Sequence, residues 1–74
     1  MKAVVWSKLD CPYCVQAKEL LGHKGYEVEV RTLGSGWTID QLMEAVPGAR
    51  SVPQIFINDE FVGGYKDLVT KLQG

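Results

Sequence analysis

Four consecutive apolar residues near the start of the chain, Ala3-Val4-Val5-Trp6, place the strongest constraint on its fold. β-Branched and aromatic residues favour a strand, and an unbroken apolar run indicates a strand that is buried on both faces. Such a strand suits a sheet that is covered by helices on both sides. In a chain of 74 residues, these elements fill one small domain, which we expect to span residues 1–74.

Three segments have the sequence pattern of amphipathic helices. Pro12 suits the first position of a helix, and Gly22 or Gly25 can end that helix in a left-handed conformation. Thr38 and Gln41 have the spacing of a capping box at the start of a second helix. The apolar faces expected for the three helices consist of Cys14, Ala17 and Leu21; of Ile39, Leu42, Met43 and Val46; and of Leu68, Val69 and Leu72.

The remaining apolar segments have strand patterns. Tyr26–Thr32 alternates between apolar and charged residues, which predicts a half-exposed strand at a sheet edge. Gln54–Ile57 and Glu60–Val62, joined by the turn Asn58-Asp59, predict an antiparallel hairpin. The order of elements is then β-α-β-α-β-β-α. It predicts an α/β fold in which the first two strands are parallel.

Cys11 and Cys14 are the only cysteines, and they are separated by two residues at the start of the first helix. This spacing, after a buried strand, is typical of a redox dithiol. The thiolate is the form that attacks a disulfide, and we expect the helix N-terminus to lower the pKa of Cys11 from its usual value of about 8.5. Lys8 would add to this effect and Asp10 would oppose it. We therefore predict that Cys11 is the nucleophile and Cys14 the resolving thiol.

Two other roles for the cysteine pair need to be considered. A structural disulfide would close such a small ring that it would remove little entropy from the unfolded chain. A zinc site requires four ligands, and the only histidine, His23, stands at the expected end of a helix. We therefore expect no metal site.

Two motifs farther along the chain each allow two interpretations. Pro53 is either an ordinary strand start or part of a cis peptide bond with Val52, a form found at ~5–6% of bonds before proline. Gly63-Gly64-Tyr65 is either a plain turn or a helix start whose free N–H groups bind a carboxylate. Asp67, in the first turn of the last helix, complements the helix dipole.

Charge and hydropathy argue against several classes of partner. The formal net charge is −1, and the lysines are scattered, so no surface for nucleic acid or an anionic membrane is indicated. The apolar stretch at the start is too short for the core of a signal peptide or for a membrane span. We expect a cytoplasmic protein, because reducing surroundings keep a thiol pair free to react.

Three motifs together resemble those of the short dithiol glutaredoxins. They are Cys11-Pro12-Tyr13-Cys14, Ser51-Val52-Pro53-Gln54-Ile55-Phe56-Ile57, and Gly63-Gly64-Tyr65 with Asp67-Leu68. The similarity extends from Val4 to about Leu72. It implies a thioredoxin-like fold, with a four-stranded mixed sheet flanked by three helices, and a cis peptide bond before Pro53.

The resemblance also implies a binding site for glutathione. Val52 would pair its backbone with that of glutathione, and Pro53 would face the two cysteines. Lys8 and Tyr13 would lie near the glycine end of the ligand. The γ-glutamyl end would be held at the start of the last helix by Gly64, Tyr65, Lys66 and Asp67.

This chain departs from the family pattern at three places. Ser51 stands where threonine is commoner. Lys66 stands where a small or acidic residue is usual. The second helix often offers a polar or basic side chain to the glycine carboxylate, but this chain has Asp40 and Gln41 there, and an acid would repel the ligand.

The function implied by the resemblance is that of a glutathione-dependent thiol–disulfide oxidoreductase. It would reduce protein disulfides and glutathione mixed disulfides, with glutathione as co-substrate and no permanently bound cofactor. Ribonucleotide reductase is a plausible client, and a monomer is expected. One alternative is a module that holds a glutathione-ligated [2Fe–2S] cluster between two subunits, which Pro12 argues against. Another is a redox-silent partner domain, which two intact cysteines argue against.

Overall fold

The structure of the chain, a computed structural model, describes residues 1–73. These residues form β1 (Lys2–Ser7), α1 (Pro12–His23), β2 (Glu27–Thr32), α2 (Ile39–Ala45), β3 (Gln54–Ile57), β4 (Glu60–Gly63) and α3 (Tyr65–Gln73). The strands make one sheet in the order β2-β1-β3-β4, with β1 parallel to β2 and antiparallel to β3, and β3 antiparallel to β4. This mixed sheet with three helices confirms the predicted fold class. No helix among the described residues is long and apolar enough to cross a membrane.

The main core lies on the face of the sheet that α1 and α3 cover. Ala3 and Val5 of β1 point to this face because alternate side chains of a strand share one side. The buried cluster consists of Ala3, Val5, Ala17, Leu21, Ile55, Ile57 and Leu68. Burying a leucine of this kind contributes about 1.5–3 kcal/mol. These contacts hold α1, and with it the cysteine pair at its N-terminus, against the sheet.

The opposite face of the sheet is organised around two tryptophans. Trp6 of β1 is almost fully buried and packs edge-to-face against Trp37, with 5.3 Å between the ring centroids. The Arg31 guanidinium lies 4.5 Å from the centre of the Trp37 ring and 5.2 Å from that of Trp6, within the range of a cation–π contact. Glu29 accepts a hydrogen bond from Arg31 Nε at 2.6 Å and fixes the direction of the guanidinium. Trp37 is thereby anchored to the sheet.

The buried face predicted for α2 is only partly present. Leu42 is buried, but Ile39 and Met43 are 62% and 46% exposed. Part of the reason is length, since α2 has seven residues and therefore about two turns. The other part is that the ring of Trp37, rather than Ile39 or Met43, covers Trp6. Of the apolar face predicted for α2, Ile39 and Met43 therefore remain largely exposed.

β2 lies at an edge of the sheet, as its charged outward face predicts. Tyr26, just before β2, and Val28 pack against the main core. Val30, on the same predicted face, is 39% exposed. An edge strand has a neighbour on one side only, so it is covered less completely than a central strand such as β1.

Gly25, rather than Gly22, ends α1. Its φ is +82°, its N–H donates to the Gly22 carbonyl at 3.1 Å, and the Tyr26 N–H donates to the Leu21 carbonyl at 3.0 Å. This pair of bonds is a Schellman motif, which requires a left-handed residue.

The β3–β4 turn has the backbone conformation that a two-residue hairpin needs. Asn58 and Asp59 have φ values of +50° and +67°, as in a type I′ turn, whose twist matches that of the strands. The hairpin prediction is confirmed. It places Gly63 at the end of β4, with Gly64 alone between it and α3.

Candidate functional site

The first turn of α1 positions both cysteines. Cys11 is the N-cap, with φ −114° and ψ 100°, and Pro12 is the first residue of the helix. The Cys14 N–H donates to the Cys11 Sγ at 3.3 Å. The two cysteines are joined by a disulfide bond, so this is the oxidised state. In the dithiol state, the same N–H group and the helix dipole would favour a negative charge on the Cys11 sulfur.

The two cysteines differ in access to solvent. Cys11 is 8% exposed and Cys14 is 0% exposed. Cys14 also belongs to the buried face of α1, together with Ala17 and Leu21. Cys11 is therefore the more accessible of the two sulfurs.

The segment before β3 lies against the Cys11 sulfur. The peptide bond between Val52 and Pro53 is cis, as the resemblance implied. The Val52 carbonyl oxygen lies 3.8 Å from Cys11 Sγ, and Pro53 is buried. The side chain of Gln54, directly after Pro53, donates to the Ser51 carbonyl at 2.9 Å and so bridges the segment. The backbone of Val52 therefore lies next to the Cys11 sulfur.

The start of α3 is shaped by two glycines and an aspartate. Gly63 has φ +125°, and a Cβ there would lie 2.8 Å from Asp67 Cγ, so no side chain fits beside this carboxylate. Asp67 accepts a hydrogen bond from the Gly64 N–H at 3.2 Å, which is the reciprocal half of a capping box. The N–H groups of the first helical turn, from Tyr65 onward, have no acceptor within the helix. Asp67 thus has a structural role beyond the dipole effect that the sequence predicted.

These segments enclose a cleft of about 660 Å³, within the size range of small-molecule sites. It contains seven of the eight predicted glutathione-binding residues: Tyr13, Val52, Pro53, Gly64, Tyr65, Lys66 and Asp67. The rings of Tyr13 and Tyr65 stand 5.8 Å apart at its edge. The cleft also includes Ser51, Val69 and Thr70.

Lys8, the eighth predicted residue, does not line this cleft. It lines a neighbouring hollow of about 470 Å³ together with Arg50, Ser51 and Val52. Lys8 and Asp10 are both exposed, and neither forms an ion pair with another residue of the described chain. Because both side chains are in solvent, water weakens the attraction of Lys8 and the repulsion of Asp10 for a negative charge on the Cys11 sulfur.

The side-chain oxygen of Gln41 is used at the start of α2 itself. This oxygen accepts a hydrogen bond from the Thr38 backbone N–H at 2.8 Å. The backbone N–H of Gln41 donates to Thr38 Oγ1 at 3.2 Å. The predicted capping box is therefore present, and it occupies Gln41. Arg50 lines the hollow that Lys8 lines, so a second cation stands where the sequence suggested only Asp40 and Gln41.

Sequence reasoning did not single out Arg50, Val69 or Thr70 as lining residues. A signal existed for Thr70, because it follows Lys66 by four residues and so shares its helix face. Arg50 gave none, since its position depends on the path of the loop between α2 and β3. Within residues 1–73, no three metal-ligating side chains come together as a cation site.

Comparison with known proteins agrees with this geometry. The sequence model of the glutaredoxin family, described as "Glutaredoxin", matches residues 3–62. The chain belongs to the glutaredoxin family. Glutaredoxin-C4 of Arabidopsis thaliana is 41% identical over 71 residues, which cover 92% of this chain and 53% of that protein. The chain thus spans just over half the length of that relative. Glutaredoxin-1 of Bos taurus is 36% identical over 74 residues, or 92% of this chain and 70% of the relative.

The fold is also that of the family. The structure of reduced Escherichia coli glutaredoxin superposes with a TM-score of 0.81 at 30% identity, covering 99% of this chain and 94% of that one. The thioredoxin-like architecture implied by the three motifs is confirmed.

Proposed function

We propose that this member of the glutaredoxin family is a thiol–disulfide oxidoreductase that uses glutathione as its co-substrate. One observation carries the proposal. The Cys11 sulfur, at a helix N-terminus, is held beside Val52, and Val52 also lines a cleft large enough for a tripeptide.

With a glutathione mixed disulfide, the Cys11 thiolate attacks the glutathione sulfur. A Cys11–glutathione disulfide forms, and the other partner leaves as a thiolate that takes a proton from water. A second glutathione thiolate then attacks the glutathione sulfur on Cys11. Oxidised glutathione leaves, and the Cys11 thiolate is restored. One free glutathione is consumed for each partner thiol released, and the glutathione of the mixed disulfide becomes the other half of oxidised glutathione.

With a protein disulfide, the Cys11 thiolate attacks one client sulfur and the other client sulfur leaves as a thiolate. Cys14 then attacks Cys11, which releases the client as a dithiol and forms the Cys11–Cys14 disulfide of this structure. Because the two cysteines are one helical turn apart, with 5.2 Å between their Cα atoms, the resolving thiol is held close to the mixed disulfide on Cys11. Glutathione then reduces the disulfide. Ribonucleotide reductase is one protein client to be tested.

The ligand groups are assigned by charge and by free hydrogen-bonding groups. The γ-glutamyl carboxylate would bind the N–H groups of Tyr65 and Lys66, because the Gly64 N–H is already bonded to Asp67. Asp67 would attract the γ-glutamyl amine. The backbone of Val52 would pair with the cysteine unit, and Lys8 would face the glycine carboxylate.

Turnover of two mixed disulfides tests the proposal. The reduced chain would be assayed with glutathione against a glutathionylated peptide and against the same peptide carrying cysteine in place of glutathione. We expect the glutathionylated peptide to react faster, and we expect Cys14→Ser to retain this activity but lose the reduction of protein disulfides. Equal rates for the two peptides would contradict glutathione recognition, and loss of both activities in Cys14→Ser would contradict the one-cysteine route.

A further inference from the structure

An apolar groove runs from the Cys11 side of the molecule along the start of α2. Its near part is the hollow of about 470 Å³ beside Lys8, and its far part is a second hollow of about 480 Å³. Leu33 and Ile39 line both parts, so the two are continuous. We call this surface the α2 groove and define it by its apolar residues Leu33, Trp37, Ile39, Leu42, Ala49 and Val52.

The far wall of the α2 groove is fixed by backbone hydrogen bonds and ring packing. The Leu33 N–H donates to the Ser7 carbonyl at 2.8 Å, and the Gly34 N–H donates to the Trp37 carbonyl at 2.9 Å. Trp37 is in turn packed against Trp6. The groove is therefore present before any partner binds, which lowers the entropic cost of binding.

Ile39 is the most exposed apolar residue of the groove, at 62%. It lies at the first position of α2, directly after the N-cap Thr38, so its backbone is held by the capping box. Covering such a side chain is favourable in proportion to the apolar area removed from water. A partner with an apolar side chain would gain this energy without displacing the helix.

The α2 groove meets the glutathione cleft only at Ser51 and Val52. It extends from there in the opposite direction, past Lys8 and Arg50. In the proposed function, the glycine end of glutathione lies at Lys8, where the tripeptide stops. A polypeptide bound through a cysteine at Cys11 does not stop there, and its chain would continue into the groove.

We propose that the α2 groove binds the segment that follows the attacked cysteine in a protein-disulfide client. The segment carries apolar residues at the second and third positions after that cysteine, which contact Ile39 and Leu33. Lys8 and Arg50 favour an acidic residue at the first position. The inference rests on the proposed function, because the direction of the bound chain is taken from the placement of glutathione.

The test uses two peptides as mixed disulfides with thionitrobenzoate. One is acetyl-Ala-Cys-Glu-Leu-Leu-amide, and the other has Ser-Ser in place of Leu-Leu. The Cys11 thiolate attacks the peptide sulfur, the bond to thionitrobenzoate breaks, and coloured thionitrobenzoate leaves as a thiolate. Cys14 then attacks Cys11 and releases the peptide thiol. The rate of colour release by the reduced chain, as a function of peptide concentration, gives a second-order rate constant for each peptide.

We expect the Leu-Leu peptide to react about five- to tenfold faster than the Ser-Ser peptide, which corresponds to covering part of one aliphatic side chain. In Ile39→Ser, this preference should fall to less than about twofold, since most of the covered area is lost. Met43→Ser is the matched control, because Met43 is on the same helix and 46% exposed but lies outside the groove. It should keep the preference of the unmodified chain.

Three outcomes would overturn the inference: equal rates for both peptides with the unmodified chain, a preference that survives Ile39→Ser, or a preference that Met43→Ser removes as well. The first of these needs no variant, so it stands even if Ile39→Ser fails to fold. The mixed disulfides of glutathione and of cysteine with thionitrobenzoate serve as reference substrates. If glutathione has no advantage over cysteine while the leucine preference holds, glutathione recognition fails and the groove remains. If glutathione has its advantage and the leucine preference is absent, the groove fails alone.

Discussion

Replacing Gly63 with alanine would test how the start of α3 is held at the edge of the cleft. A Cβ on Gly63 would lie 2.8 Å from Asp67 Cγ and 2.9 Å from Asp67 Cβ, and the backbone φ is +125°. Holding alanine at this φ costs about 1–3 kcal/mol. Displacing the Asp67 carboxylate also breaks its bond to the Gly64 N–H, a loss of about 1 kcal/mol. We therefore expect the free energy of unfolding to fall by about 2–4 kcal/mol.

Urea unfolding of the oxidised chain would measure this change, with Gly36→Ala as the matched control. Gly36 also has a positive φ, of +96°, but a Cβ there would meet no atom within 4 Å, so the control contains strain without the steric conflict. Asp67→Ala should cost about 1 kcal/mol. The double variant should be less destabilised than the sum of the single variants by about 1 kcal/mol, because each removes the same hydrogen bond. A Gly63→Ala cost no larger than that of Gly36→Ala, or strict additivity with Asp67→Ala, would refute the steric argument.

Three further predictions concern stability. Thr38→Ala removes the N-cap bond to Gln41 and should lower the free energy of unfolding by about 1 kcal/mol in urea; no change would contradict the role of the capping box. Leu68→Ala empties a fully buried position between α3 and the sheet and should cost about 2–5 kcal/mol, whereas a cost under 1 kcal/mol would argue against this packing. Hydrogen bonds from Arg31, and then from Lys2, hold the pKa of Glu29 below its usual value of 4.5. Its contribution to stability is therefore present above pH 4.5 and lost as the pH falls below it. In Glu29→Gln, thermal unfolding should depend less on pH in that acidic range, and an unchanged dependence would contradict the assignment.

The fold was predictable because local patterns and long-range pairing agree in this chain. The apolar run of β1, the alternation of β2 and the Asn58-Asp59 turn each allow only one kind of element, and together they fix the mixed sheet. α2 was less predictable. Its apolar spacing is that of a buried helix, but whether Ile39 is covered depends on the path of the preceding loop, where Trp37 packs on Trp6. The spacing of apolar residues in the sequence does not show whether Trp37 or Ile39 covers Trp6.

In the candidate site, too, some features could be predicted from the sequence and others could not. Cys11 at an N-cap and Gly63-Gly64 before a helix follow from residue chemistry, and the structure places them as expected. The cis peptide bond before Pro53 could not be derived from composition, because its frequency is low, and only the resemblance to a family indicated it. The position of Arg50 beside Lys8 was not predictable at all, since it depends on how the chain returns from α2 to β3.

The central claim is that Cys11 is the sulfur that forms a mixed disulfide with glutathione, and mass spectrometry of the Cys14→Ser variant tests it most directly. The variant would be incubated with oxidised glutathione, digested and analysed for modified cysteine. We predict one glutathione per chain, attached to Cys11, because this sulfur is at the helix N-terminus beside Val52. In the matching Cys11→Ser variant, the buried Cys14 should remain unmodified. Absence of an adduct on Cys11 under conditions that modify a free thiol would contradict the account.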